Sequence, residues 1–149
     1  MQLEKELCMK FPAVLRKKLL DHEIELPDTT MFEYEKILVY RAVERRKDDY
    51  SKINIEDFKS YFELGKYPKV PRGVKKDFLK DPHYYGVSGF LKKEIVEQKM
   101  SFPNPRKKMA AGYVYQEGGP QDTNVKEQHV CWWLYENADI SGFKLMEDL

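Results

Sequence analysis

The chain has 149 residues, close to the size of one domain and long enough to bury an ordinary core without disulfide or metal staples. Its 42% hydrophobic and 13% aromatic content excludes a disordered segment, and 26 basic against 25 acidic residues give no bulk attraction to nucleic acid or membrane surfaces. No apolar run approaches the roughly 20 residues of a membrane span, and Cys8 and Cys131 carry neither a disulfide-framework spacing nor a secretory signal, so reduced thiols in a cytoplasmic protein are expected.

From the amino terminus, Leu3, Leu7, Phe11, Val14, Leu15 and Leu19 recur at three- and four-residue steps among lysines and glutamates, an amphipathic helix pattern. Pro12 interrupts it. A short helix, a break at Phe11-Pro12 and a second helix through Leu20 are expected, with the helical segment 1–25 ending in a loop at 25–28. Residues 36–43, with Ile37, Val39, Tyr40 and Val43, form the first clear strand, and the charged stretch 44–50 reads as a solvated loop. Asn54 suits a helix cap, with Glu56 and Asp57 in the first turn, Phe58, Tyr61, Phe62 and Leu64 on an apolar face, and Gly65 as the stop. Three prolines between 66 and 82 predict a long loop with one helical turn at 74–79. Loops of that length in a small domain are frequently functional.

Residues 84–88 read as a short strand leading into a helix at 91–100, which Pro103 and Pro105 terminate. A second good strand covers 108–116, with Met109, Ala111, Tyr113 and Tyr115 on one side, and 117–120 opens a polar loop. The chain then enters 128–135, which holds both tryptophans, Cys131 and His129. At period two His129, Cys131, Trp133 and Tyr135 point one way and Val130, Trp132 and Leu134 the other, so a central strand covered on both faces is predicted. An edge strand is expected within 140–146. These elements specify one α+β domain over 1–149: a mostly antiparallel sheet, the N-terminal helical segment packed on it, and two further helices.

Three polar positions stand out. Arg41 shares the apolar alternation of Ile37, Val39 and Val43. A guanidinium there is either in a structural salt bridge, at a strand end where it reaches water, or an anion clamp for phosphate or carboxylate. Ser88 lies between Gly86 and Gly89 at a strand-to-helix junction, where it caps the helix or contacts a ligand that the glycines admit. His129 is a hydrogen-bonded core histidine, a catalytic acid or base, or, last, a metal ligand. No metal-site spacing is present, so no metal is expected. The clusters Arg45-Arg46-Lys47, Lys75-Lys76 and Arg106-Lys107-Lys108 are interleaved with acidic residues and default to solvated surface. Nucleic-acid binding would require them to converge beside Tyr84 and Tyr85, and is not expected.

The order of elements resembles that of ADP-ribosyltransferase-fold proteins, including small NAD-consuming toxins with a RES domain. The residues carrying the resemblance are Val39 to Val43 around Arg41, Tyr84 to Phe90 around Tyr85 and Ser88, and a late acidic position, Glu127, with Glu117 and Glu136 as other choices. The chain has no Ser-Thr-Ser run and no Glu-x-Glu or Gln-x-Glu pair. The resemblance implies an NAD-using transferase or NAD-hydrolysing effector. Arg41 would bind the diphosphate or ribose, Tyr85 would stack on nicotinamide, Ser88 would orient the ribose, and Glu127 would stabilise the oxocarbenium ion, with His129 beside it. On that reading Arg41→Ala abolishes turnover with little change in melting temperature. The rival class is a non-enzymatic protein-binding or inhibitor protein, as of a phage or mobile element, which would use the amphipathic amino-terminal region and the ten tyrosines as an interface.

Overall fold

A computed structural model describes residues 3–146; positions 1, 2 and 147–149 of the expected domain lie outside the described residues. Pro12 divides the amino-terminal pattern as expected, into α1 (Lys5–Cys8) and α2 (Ala13–Leu20). Their apolar positions Cys8, Phe11, Leu15 and Leu19 are buried together with Ile24 and Leu26 against Tyr84, Tyr85, Cys131 and Trp133. Arg16 secures the break by donating from Nε and Nη2 to Phe11 O at 3.2 and 3.0 Å.

The sheet is antiparallel throughout and has six strands. They are β1 (Ile37–Glu44), β2 (Val87–Phe90), β3 (Lys107–Val114), β4 (Gln121–Asn124), β5 (His129–Trp132) and β6 (Lys144–Leu145), in the order β4-β5-β2-β1-β3-β6. Two further helices, α3 (Tyr61–Leu64) and α4 (Lys93–Lys99), complete the α+β domain. On the face opposite the amino-terminal helices, Val39, Phe58, Val87, Val114, Val130, Trp132, Ile140 and Phe143 form a second core.

The tryptophan strand is covered on both faces but is not central: β5 is second from an edge. Its burial comes from what packs above and below it. Cys131 and Trp133 meet the amino-terminal helices, while Trp132 stacks on Phe143 at 6.1 Å and meets Phe58 edge-on at 6.3 Å. Each indole N–H finds a carbonyl, Trp132 at Gly119 O (3.1 Å) and Trp133 at Pro82 O (2.9 Å).

Three local expectations are corrected. The helix expected from Asn54 to Leu64 is two pieces, a 3-10 turn at Ile55–Phe58 and then α3, because Ser60 restarts the chain with its own capping box to Glu63. Gly65 stops α3 at φ 66°, as expected. Tyr84 and Tyr85 belong to a 3-10 turn (Pro82–Tyr85) capped by Asp81, so the strand begins only at Val87. The polar segment 121–124 is strand β4, which its residue types disguise; pairing with β5 at four positions makes it one. The edge strand expected near the carboxyl end is present as β6.

Candidate functional site: a cationic cleft where β1 and β2 part

β1 pairs with β3 at eight positions, from Ile37↔Val114 to Glu44↔Lys107, but with β2 at one, Tyr40↔Phe90. Past that pair the two strands separate. Arg41 fills the gap: Nη1 donates to Ser88 O and Nη2 to Asp57 O, the latter at 3.0 Å. Its guanidinium lies over the Phe58 ring, 5.1 Å from the centroid. Nε is buried and finds no acceptor among the described residues.

No carboxylate among the described residues forms an ion pair with this charge. Asp57, the acid nearest in sequence, gives its carboxylate to Arg45 in a two-pronged pair with both contacts at 2.7 Å. The structural salt bridge that was one reading of Arg41 therefore exists four residues later. Arg45, expected on a solvated surface, is 8% exposed and also donates to the carbonyls of Glu44, Ser51 and Lys52. Burial lowers the Arg41 pKa to about 10, partly opposed by the charge of Asp57, so the group stays cationic at neutral pH. Because Arg41 holds two backbone carbonyls, Arg41→Ala should lower the melting temperature rather than leave it nearly unchanged.

Arg41 and Ser88 line a cavity of about 690 Å³. Lys59, Lys66, Lys99 and Lys107 add positive charge to its wall, against Glu44, Glu56 and Asp57. Glu44 and Glu56 lie 3.7 Å from Lys66 and Lys59 respectively, so the wall keeps an excess of cations. Lys99 also lies over the Phe90 ring at 5.8 Å. A second, more open depression shares Glu44, Lys66 and Lys107 with the cavity and adds Arg45, Arg46 and Arg106 together with Asp49. Two of the three basic clusters thus converge. Tyr84 and Tyr85 do not join them.

The other predicted residues are scattered. Tyr85 is 7% exposed, packs on Phe62 at 5.0 Å and donates its hydroxyl to Leu79 O at 2.8 Å, inside the amino-terminal core and outside the cavity wall. Glu127 is exposed in the turn between β4 and β5 and is not part of the wall. Ser88 is the exposed residue of β2, and His129 on β5 places Nε2 2.9 Å from Ser88 Oγ. Burial lowers the His129 pKa, helped by His83 and Lys99 and opposed by Glu127 and Asp122. Gly86 and Gly89 do not admit a ligand: a Cβ would meet Cys131 Sγ at 2.3 Å in the first case and Val39 at 3.1 Å in the second, so both serve packing.

His83 was not singled out in the sequence. Its Nδ1 is 3.1 Å from Asp81 Oδ1 and its Nε2 3.6 Å from Asp122 Oδ2, and the only sequence signal was the aspartate two residues earlier. Lys99 and Lys107 could not be assigned before the strands were paired, because they come from α4 and β3. Both cysteines are free and buried, and no cluster suited to a metal ion occurs among the described residues. No helix among them is long and apolar enough to cross a membrane. Compared with known protein families, curated proteins and solved structures, the chain matches none significantly.

Proposed function

We propose that the cleft between β1 and β2 binds an anionic, phosphate-bearing small molecule, with NAD the first candidate and ADP-ribosyl transfer or NAD hydrolysis the activity to test. One observation carries the reading: the half-buried Arg41 lines a cavity with carbonyls for partners, a buried Nε–H without an acceptor and no paired carboxylate among the described residues. A planar donor fork in that state is completed by a phosphate or carboxylate. Ser88 beside it supports the ribose-orienting role that the resemblance implies. Tyr85 and Glu127 lend no support to nicotinamide stacking or oxocarbenium stabilisation from their present positions.

The test is titration of the whole protein with NAD, ADP and pyrophosphate, following heat and thermal shift, with nicotinamide release monitored in the NAD series. Binding that weakens with added salt, and weakens again in Lys107→Ala, is expected. If none of the three ligands produces heat or a thermal shift, the cleft reading fails. If ADP and pyrophosphate bind while NAD is neither bound nor cleaved, its NAD-specific part fails alone.

The second reading, a protein-binding or inhibitor protein, has a specific observation in its favour. Tyr61, Leu64, Tyr67, Val70, Val74 and Leu79 are each at least 40% exposed within one stretch of chain, and the first two line the same cleft. The amino-terminal helices do not support it, since their apolar face is already covered.

A further inference from the structure

Ser88 lies in β2 between buried neighbours, yet it is exposed, because β1 has turned away and left its side of the strand open to the cavity. The half-buried His129 on the adjacent strand holds Nε2 2.9 Å from Ser88 Oγ. Its ring is fixed by Phe90, which meets it edge-on at 5.1 Å. A neutral imidazole with its proton on Nδ1 accepts the serine O–H at Nε2, the arrangement in which a hydroxyl becomes a nucleophile. Arg41 Nη1 is bonded to the carbonyl of Ser88 itself, and both residues line the same cavity.

We propose that Ser88 is a nucleophile with His129 as its general base, and that the pair hydrolyses carboxylic esters bearing a phosphate or carboxylate held at Arg41. The choice of substrate charge rests on the anion-binding reading of the cleft; the nucleophile and base stand apart from it. In the first step Ser88 Oγ bonds to the acyl carbon while its proton passes to His129 Nε2. The C–O bond to the alcohol then breaks, and the departing oxygen takes that proton from His129. Water attacks the acyl-serine with His129 again accepting a proton, and the carboxylic acid leaves as Ser88 recovers its hydrogen. One ester and one water become one acid and one alcohol. Lys99, on the same wall, supplies positive charge for the oxyanion.

The base must be neutral to act. Burial, with His83 and Lys99, lowers the His129 pKa against the opposing pull of Glu127 and Asp122, so the ring loses its proton below its ordinary value of 6.5. The reaction rate therefore rises with pH to a midpoint under 6.5 and is level above it.

The full chain is treated with a fluorophosphonate, whose P–F bond is broken as the P–O bond to a reactive serine forms. Peptide mapping should find the adduct on Ser88 and not in Ser88→Ala, with labelling about 10²-fold slower in His129→Gln. The wild-type pH profile gives the same answer without any variant: a plateau from neutral pH upward supports the pair, and a rate that keeps climbing above pH 8 overturns it. No adduct on the wild type also overturns it, and leaves anion binding by the cleft intact. In a second arm the p-nitrophenyl monoester of succinate is compared with p-nitrophenyl acetate. A preference of about tenfold in kcat/KM for the anionic ester, lost in Arg41→Lys, is expected. Labelling of Ser88 without that preference overturns the assigned substrate class and Arg41 as its holder, while keeping the nucleophile.

Discussion

Along one edge β1 is paired with β3 at eight positions; along the other it meets β2 at one. On the paired edge the backbone satisfies itself and side chains are free to be apolar, as Val39, Val43, Ala110 and Val114 are. On the open edge carbonyls must find other donors, and a guanidinium reaches in to supply them. The same contrast separates two arginines four residues apart. Arg45 is closed off by the Asp57 carboxylate and three carbonyls, whereas Arg41 has carbonyl partners and capacity left over. Where the ladder is given up a guanidinium takes its place, and that open edge is the candidate site.

The largest expected effect comes from breaking the closed arginine. Asp57→Ala leaves Arg45 buried and uncompensated, and removal of one partner of a buried pair typically costs about 3–5 kcal/mol. Urea denaturation should show a loss of that order. Replacing both members together with apolar residues, Arg45→Met with Asp57→Leu, should recover most of it, since a buried pair and a packed apolar pair are often close in stability. A double variant no better than Asp57→Ala would show that the pair organises the 51–58 segment through the carbonyls of Ser51 and Lys52 instead.

The paired edge is broken next. Gly112, opposite Val39 in the β1–β3 ladder, lies under the Phe143 ring, and a Cβ there would come within 2.4 Å of Phe143 Cγ. Gly112→Ala should therefore destabilise by about 1–3 kcal/mol, the usual range for overpacking. Anion binding in the cleft should be unchanged, because the insult falls on the far side of β1. Calorimetric unfolding beside a pyrophosphate titration separates the two readouts.

Most of the frame is legible in the residues themselves. The break at Pro12, the apolar alternation of β1 and β3 and the doubly covered tryptophan strand each follow from periodicity, which depends on local spacing. Gln121 to Asn124 escaped, because a strand made by its partner leaves no pattern of its own in polar residues. The site was legible only as single residues. Arg41 and His129 stand out because polar groups on apolar alternations are costly and therefore conspicuous, and Ser88 because glycines flank it. Lys99 and Lys107 are ordinary surface lysines until strand pairing brings α4 and β3 to one cavity. Tyr85 enters only through the resemblance, and the 3-10 turn before β2 rotates it into the core. Which arginine would hold the salt bridge depended on where Asp57 falls across a turn, and no spacing rule fixes that.

The smallest effect is the sharpest test of the two arginines. Lysine keeps the charge at either position but loses the planar fork. In Arg45→Lys the two-pronged contact to Asp57 becomes at best one-pronged, and about 1–3 kcal/mol of stability should go with the charge-assisted hydrogen bonds lost. Arg45 is not part of the Arg41 cavity wall, so pyrophosphate affinity should hold. In Arg41→Lys the partners lost are neutral carbonyls, and about 1 kcal/mol is expected. An ammonium cannot serve Ser88 O, Asp57 O and an incoming anion in one plane, so pyrophosphate affinity should fall about tenfold. Stability and affinity then move in opposite orders across the two variants. Equal losses of affinity in both would mean that the anion senses only the summed charge of the region, and the open edge of β1 would hold no particular ligand geometry.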